Sequence, residues 1–74
     1  MDRGIAEGAI KVFLGEIRHR LEEAASIARA AQVCAEGGNV SKAVEIVLDV
    51  EQLSYESANL LNAASTLNRI SGEL

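Results

Sequence analysis

A chain of 74 residues with a formal net charge of −4 and a single cysteine holds one domain at most, and these properties exclude several kinds of protein. A domain of this size rarely gains more than about 3–5 kcal/mol from its own core without a disulfide, a metal or a second copy. Cys34 has no partner for an internal disulfide. The excess of acidic residues opposes sequence-independent binding to nucleic acid or anionic lipid.

The start of the chain and its hydropathy indicate where the protein acts. Residues 1–4 contain no basic segment followed by an apolar, cleavable run. No stretch of about 18 uncharged apolar residues follows, so no segment is expected to enter a membrane. A single free cysteine suits the reducing cytoplasm. The sequence therefore predicts a soluble cytoplasmic protein.

The first predicted element is a long helix over about residues 3–36. Apolar residues recur in it at alternating steps of four and three, the spacing of one stripe on an α-helix. The stripe contains Ile10, Leu14, Ile17, Leu21, Ala24, Ala28, Ala31 and Ala35. Gly4, Gly8 and Gly15 weaken the start of this helix, since glycine costs about 1 kcal/mol relative to alanine. A separate short helix over residues 3–14, giving a three-helix bundle, is the alternative for this segment.

The Gly37-Gly38-Asn39 segment predicts a chain reversal. Gly37 follows the stripe at the point where helices commonly end on a left-handed residue, so we expect it in that conformation. The side-chain oxygen of Asn39 or Ser41 then caps the next helix. The chain is expected to fold back here into an antiparallel hairpin.

The second predicted helix covers about residues 40–71, and Gly72 can end it. It shows the same alternation of four and three, with large and small residues taking turns. Its stripe contains Ile46, Val50, Leu53, Ser57, Leu60, Ala64, Leu67, Ser71 and Leu74. The absence of proline and of alternation with period two favours helix over strand throughout. The predicted fold is therefore all-α, an antiparallel two-helix hairpin forming one domain over residues 1–74.

A reversal near residue 38 also predicts a register. Residues whose numbers add to about 76 then lie opposite each other, and large residues of one stripe tend to meet small residues of the other, as close packing requires. The same register brings Arg20 near Glu56 as an ion pair beside the stripes. The two stripes are therefore expected to pack on each other.

Several apolar residues remain outside the two stripes, and they form the predicted interface. They are Phe13, Ile27, Cys34, Val44, Val47, Leu48, Tyr55 and Leu61. An exposed apolar patch is a usual mark of an interaction site. A second hairpin packed on this patch would complete a four-helix bundle, so the sequence predicts a homodimer. A different protein is the other candidate partner.

Residues able to carry chemistry are sparse. Glu16 and His19 have the Glu-x-x-His spacing of di-iron carboxylate bundles, but Ile17 occupies the stripe, so these two project away from it. Neither Cys34 nor any serine has a histidine placed to activate it. We therefore expect no catalytic, cofactor-binding or metal-binding residue, no enzyme activity and no small-molecule substrate.

Arg18, Arg20 and Arg29 form the main basic concentration, and on a dimer they could line a stripe that touches RNA or DNA. Interspersed glutamates neutralise most of this charge, and no aromatic side chains are interleaved for base stacking. The leading interpretation is a small homodimeric protein–protein interaction or adaptor module. A dimeric nucleic-acid-binding regulator using the three arginines is the first alternative, and a metal-binding bundle using Glu16 and His19 is the second.

Overall fold

The computed structural model describes residues 2–72 as three helices, α1 (Arg3–Glu36), α2 (Val40–Val47) and α3 (Asp49–Gly72). No strand occurs within these residues. α1 runs antiparallel to α2 and α3, which together form one bent helix. The Cα atoms form a rod of 56 × 14 × 11 Å. The predicted all-α hairpin is confirmed.

α1 begins with a side-chain cap and continues without a break. Oδ1 of Asp2 accepts hydrogen bonds from the N–H groups of Gly4 and Ile5, at 2.6 and 3.4 Å. The helix passes through Gly15, so the alternative of a separate helix over residues 3–14 is wrong. Residues facing the second helix occur on both sides of Gly15, and their packing offsets the weak helix propensity of glycine.

The turn uses the second glycine of the pair rather than the first. Gly37 has a right-handed conformation with φ of −76°, whereas Gly38 has φ of +100°. The N–H of Gly38 donates to the carbonyl of Ala35 at 3.0 Å, and that of Asn39 donates to the carbonyl of Cys34 at 3.1 Å. This hydrogen-bond pair defines a Schellman motif with Gly38 as its left-handed residue. The prediction of Gly37 in that role is wrong by one position, because Gly37 is the C-cap and its N–H still donates to the carbonyl of Val33, a helical bond of 3.0 Å.

Asn39 caps the second helix. Its side-chain oxygen accepts a hydrogen bond from the N–H of Lys42 at 3.1 Å. Of the two predicted caps, Asn39 and Ser41, the structure therefore selects Asn39.

The second helix bends at Leu48, which separates α2 from α3. The N–H of Glu51 donates to the carbonyl of Leu48 at 3.1 Å, a bond across three residues instead of four. Such a bond tightens the local turn without proline or glycine. The sequence pattern predicts one uninterrupted helix here, so the bend is a departure from it.

The side of α2 and α3 that faces α1 matches the predicted stripe, and we call this contact the seam. The described members of the stripe are all buried or half-buried. They are Ile46, Val50, Leu53, Ser57, Leu60, Ala64, Leu67 and Ser71. The ninth member, Leu74, lies outside the described residues.

α1 is rotated about its axis relative to the prediction. Leu14, Leu21 and Ala28 are exposed, so the prediction that they face the second helix is wrong. The buried or half-buried members of the predicted stripe are Ile10, Ile17, Ala24, Ala31 and Ala35. A neighbouring column of α1 completes the seam: Ala6, Phe13, Arg20, Ile27 and Cys34. Apolar residues cover three columns of α1 and a hairpin uses two, so the pattern alone does not fix the rotation.

The seam buries only small side chains among the described residues. The buried set is Ala6, Ala24, Ala31, Ala43, Ser57, Ala64 and Ser71. The chain exposes 5246 Å², whereas a compact protein of 7.8 kDa exposes about 4,400 Å². The radius of gyration is 16.9 Å, against about 11 Å for a compact chain of this length. The hairpin therefore has a close contact between helices but no core of large side chains.

Candidate interaction surface

One side of the hairpin carries a continuous row of uncharged residues, which we call the apolar face. Its members lie in the column next to the seam on each helix: Leu14, Leu21, Ala28, Val47, Ser54 and Leu61. Because the two helices run in opposite directions, these two columns lie on the same side of the rod. The face therefore draws residues from both halves of the chain.

The large residues of this face are well exposed. Leu14 is 54% exposed, Leu21 51% and Leu61 58%, while Val47 is 38% exposed. Val44, at the edge of the face, is also exposed. Large side chains exposed side by side form the kind of contiguous patch that marks an interaction site.

The opposite side of the hairpin is charged, and we call it the polar face. It carries Glu16, Glu23, Lys42, Asp49 and Glu56. Arg20 reaches this side from the seam, where its Nε donates to Oε1 of Glu56 at 3.2 Å and its guanidinium also pairs with Glu16. The hydrogen bond from Arg20 and its positive charge lower the pKa of Glu16, and the bond to Glu16 raises the pKa of Arg20. Along the middle of the rod the two faces therefore differ in polarity, whereas toward the chain ends Glu7 lies in the column of Leu14 and Ile70 in the column of Glu56.

The predicted interface residues divide into three groups. Phe13, Ile27 and Cys34 are half-buried in the seam of this chain, and Sγ of Cys34 lies 3.5 Å from the carbonyl oxygen of Asn39, to which it donates. Val47 and Leu61 belong to the apolar face, with Val44 at its edge. Leu48 and Tyr55 are exposed farther round the second helix, where they line a shallow, open depression with Glu51 and Gln52.

Leu14 and Leu21 are the large members of the apolar face that the predicted interface omits. The sequence pattern places them in the seam because they share a helical stripe with Ile10 and Ile17. The signal that identifies them is the width of the apolar pattern on α1. Three apolar columns exceed what one neighbouring helix covers and are typical of a helix in a larger bundle.

The arginines proposed for nucleic-acid binding do not form an open basic patch. Nη1 of Arg18 lies 3.4 Å from Oε1 of Glu22, and Arg20 is held by two glutamates. Arg29 is exposed on α1, nine residues beyond Arg20. Glutamate therefore accompanies two of the three arginines.

Glu16 and His19 do not belong to a metal-binding cluster. Within residues 2–72, no group of three or more His, Cys, Asp or Glu side chains is placed to hold a metal ion. Glu16 instead pairs with Arg20, which brings positive charge to the place a cation would occupy. The geometry thus offers no support for the di-iron alternative.

None of the helices between residues 2 and 72 combines the length and the apolar content needed to cross a membrane. Comparison of the chain with protein-family models, curated proteins and solved structures gives no match. A functional proposal for this chain therefore depends on its own surface.

Proposed function

We propose that the protein is a non-enzymatic cytoplasmic module in which two hairpins associate through their apolar faces into an antiparallel four-helix bundle. The bundle acts as a protein–protein interaction or adaptor unit. One observation carries the proposal: the described part of the hairpin buries only alanine and serine, while Leu14, Leu21 and Leu61 remain more than half exposed. A second copy would convert the seam into one side of a full core.

The size of the face fits a stable dimer. The whole side of the rod that carries this face measures 56 by 14 Å between Cα atoms, about 800 Å², and standard-size interfaces bury about this area per partner. A second copy presents the same uncharged surface, so the contact is self-complementary in polarity. Packing through the polar faces would instead bring the glutamates of both copies together, at an electrostatic cost.

The adaptor role is supported by what the dimer would leave outside. Leu48 and Tyr55 lie away from the apolar face and stay exposed when it is covered. A symmetric dimer presents this pair twice, together with the depression beside it. Exposed aromatic and leucine side chains are common anchors for a partner protein.

Light scattering after size exclusion, over a wide range of protein concentration, tests the proposal. We expect twice the chain mass of 7.8 kDa. We also expect helicity and thermal unfolding to depend on concentration, because association stabilises the folded state by mass action. A cooperatively folded monomer throughout the range would contradict the proposal.

A further inference from the structure

We infer that the two hairpins of the dimer pack with their turns at opposite ends, so that α1 lies on α1 of the second copy and Leu21 meets Leu21 near the two-fold axis. This inference rests on the proposed dimer and adds its geometry. It identifies the surface that the second copy contacts and the residues that meet there.

Two closed arrangements are available to hairpins stacked face to face. If the two-fold axis runs along the rod, both turns lie at the same end, and α1 packs on α2 and α3 of the second copy. If the axis runs across the rod, the turns lie at opposite ends and α1 packs on α1. Neighbouring helices are antiparallel in both cases, so helix direction does not distinguish them.

Residue size along the apolar face distinguishes the two arrangements. The level near the chain ends holds Leu14 and Leu61, and the level near the turn holds Ala28 and Val47. With both turns at one end, the level near the chain ends would hold four leucines. The level near the turns would hold two alanines and two valines. With the turns at opposite ends, each of these levels holds two leucines, one alanine and one valine.

An even distribution of side-chain volume along the interface favours the arrangement with the turns at opposite ends. Protein interiors pack at nearly constant density, and both overpacked and underfilled levels are destabilising. The arrangement with opposed turns sets Leu14 against Ala28 and Leu61 against Val47. Large residues on one copy thus meet smaller ones on the other. The two hairpins can therefore pack with the same distance between their helix axes along the whole interface.

The residues at the middle of the apolar face and the charged residues along its edges are compatible with this arrangement. Leu21 meets its own copy across the axis on one side of the bundle, and Ser54 meets its own copy on the other. At the rim, the same symmetry sets Arg18 opposite Ala25 of the second copy and Glu51 opposite Ala58. Each of these charges therefore faces a neutral side chain and can remain in water.

A distance between spin labels tests the arrangement. Ser41 is exposed beside the turn, and a label there, in the double variant Cys34→Ser/Ser41→Cys, leaves the apolar face unchanged. Serine at position 34 keeps a donor for the carbonyl of Asn39. Each label would lie about 13 residues along the rod from the axis at Ser54, so at about 1.5 Å per residue the two are about 40 Å apart when the turns are opposed. With both turns at one end, the separation falls below about 25 Å, since neighbouring helix axes lie about 10 Å apart.

Cross-linking gives a second measurement of the same geometry. In the Cys34→Ser background, Ser54→Cys should form a disulfide-linked dimer on mild oxidation, because the two copies of position 54 meet at the axis. Ser65→Cys is the matched control, an exposed serine on the same helix whose two copies lie far apart.

The possible outcomes separate the two proposals. A dimer with the long label distance and cross-linking only at position 54 supports opposed turns. A dimer with the short distance, or without cross-linking at position 54, overturns this inference and leaves the proposed dimer standing. A monomer by light scattering overturns both.

Discussion

Arg20 joins α1 to α3 through a hydrogen bond from its Nε to Oε1 of Glu56, 3.2 Å long. Arg20 is the charged member of the seam column of α1, and its side chain is 26% exposed. Arg20 shares its column with Phe13 and Ile27, which are half-buried at the seam, while Leu14 and Leu21 are exposed outside it.

The pairing of Arg20 with Glu16 predicts a pH dependence. The hydrogen bond and charge of Arg20 hold the pKa of Glu16 below its ordinary value of 4.5. Such a carboxylate stabilises the fold fully above the unfolded-state pKa, and this contribution is lost as pH falls through the lowered folded-state pKa. We expect Glu16→Gln to lower the melting temperature slightly at neutral pH, because the pair is exposed to solvent, and to match the unmodified protein once Glu16 is protonated in acid.

Melting curves of Glu16→Gln and of the unmodified protein, measured at one protein concentration from neutral to acidic pH, check this expectation. Glu23→Gln removes a charge from the same column of α1 and serves as the control for charge loss alone. Equal effects of the two variants at every pH would show that the pair with Arg20 contributes nothing.

The packing at the seam predicts that enlarging two adjacent alanines will change the stability of the protein by different amounts. Ala31 is 6% exposed and faces the second helix, whereas Ala30 is exposed on the same helix. We expect Ala31→Leu to destabilise the protein by about 1–3 kcal/mol, because the added atoms force the helices apart. Ala30→Leu should change stability by less than about 0.5 kcal/mol. Urea unfolding at a fixed protein concentration measures both changes, and similar losses in the two variants would contradict the assigned rotation of α1.

Much of the fold could be predicted from the sequence because its local signals agree. The Gly37-Gly38-Asn39 segment marks the reversal, and the alternation on the second helix identifies the residues that face α1. The bend at Leu48 could not be predicted, since no proline or glycine marks it. The choice between Gly37 and Gly38 depends on where the last helical turn closes, which the order of the two glycines does not indicate.

The candidate surface was only partly predictable. Val47 and Leu61 were identified because they lie beside a well-defined stripe on the second helix. Leu14 and Leu21 were missed because three adjacent columns of α1 are apolar, and periodicity does not tell which two face the partner helix. The predicted pairing of Arg20 with Glu56 is present, but it is compatible with either rotation of α1 and so does not identify the columns that face the second helix.

The left-handed glycine makes the two residues of the turn unequal. Gly38 has φ of +100°, a conformation that residues with a side chain rarely adopt, while Gly37 is right-handed. We expect Gly38→Ala to destabilise the protein by about 1–2 kcal/mol. Gly37→Ala should be tolerated within about 0.5 kcal/mol, because its new Cβ would meet the carbonyl oxygen of Val33 at an acceptable 3.4 Å. Chemical denaturation measures the free energy of unfolding of the two variants. A larger loss of stability for Gly37→Ala than for Gly38→Ala would refute the Schellman geometry.

The cap of α2 predicts a similar contrast between Asn39 and Ser41. The side-chain oxygen of Asn39 accepts the hydrogen bond of the Lys42 N–H. We expect Asn39→Ala to cost about 1 kcal/mol, and Asn39→Asp to retain most of the stability because aspartate caps equally well. Ser41→Ala, which leaves this bond intact, should change stability by less than about 0.5 kcal/mol. Thermal unfolding followed by circular dichroism compares the three variants. If Ser41→Ala lost as much stability as Asn39→Ala, the assignment of Asn39 as the cap would be wrong.

The apolar face predicts that one charge placed on it separates the two copies. Leu61 lies on this face, and burying a leucine is worth about 2 kcal/mol, so replacing it in both copies removes about 4 kcal/mol from association. We expect Leu61→Glu to raise the dimer dissociation constant about a thousandfold, measured by sedimentation equilibrium.

Val33→Glu is the matched control for that change. Val33 is 69% exposed, more than Leu61, but lies outside the apolar face, so the same charge there should leave association nearly unchanged. Circular dichroism of each variant over the same concentrations separates loss of association from loss of helix. If Val33→Glu weakens the dimer as much as Leu61→Glu, the contact lies on another side of the rod. If neither does, the exposed leucines of this face do not hold the two copies together.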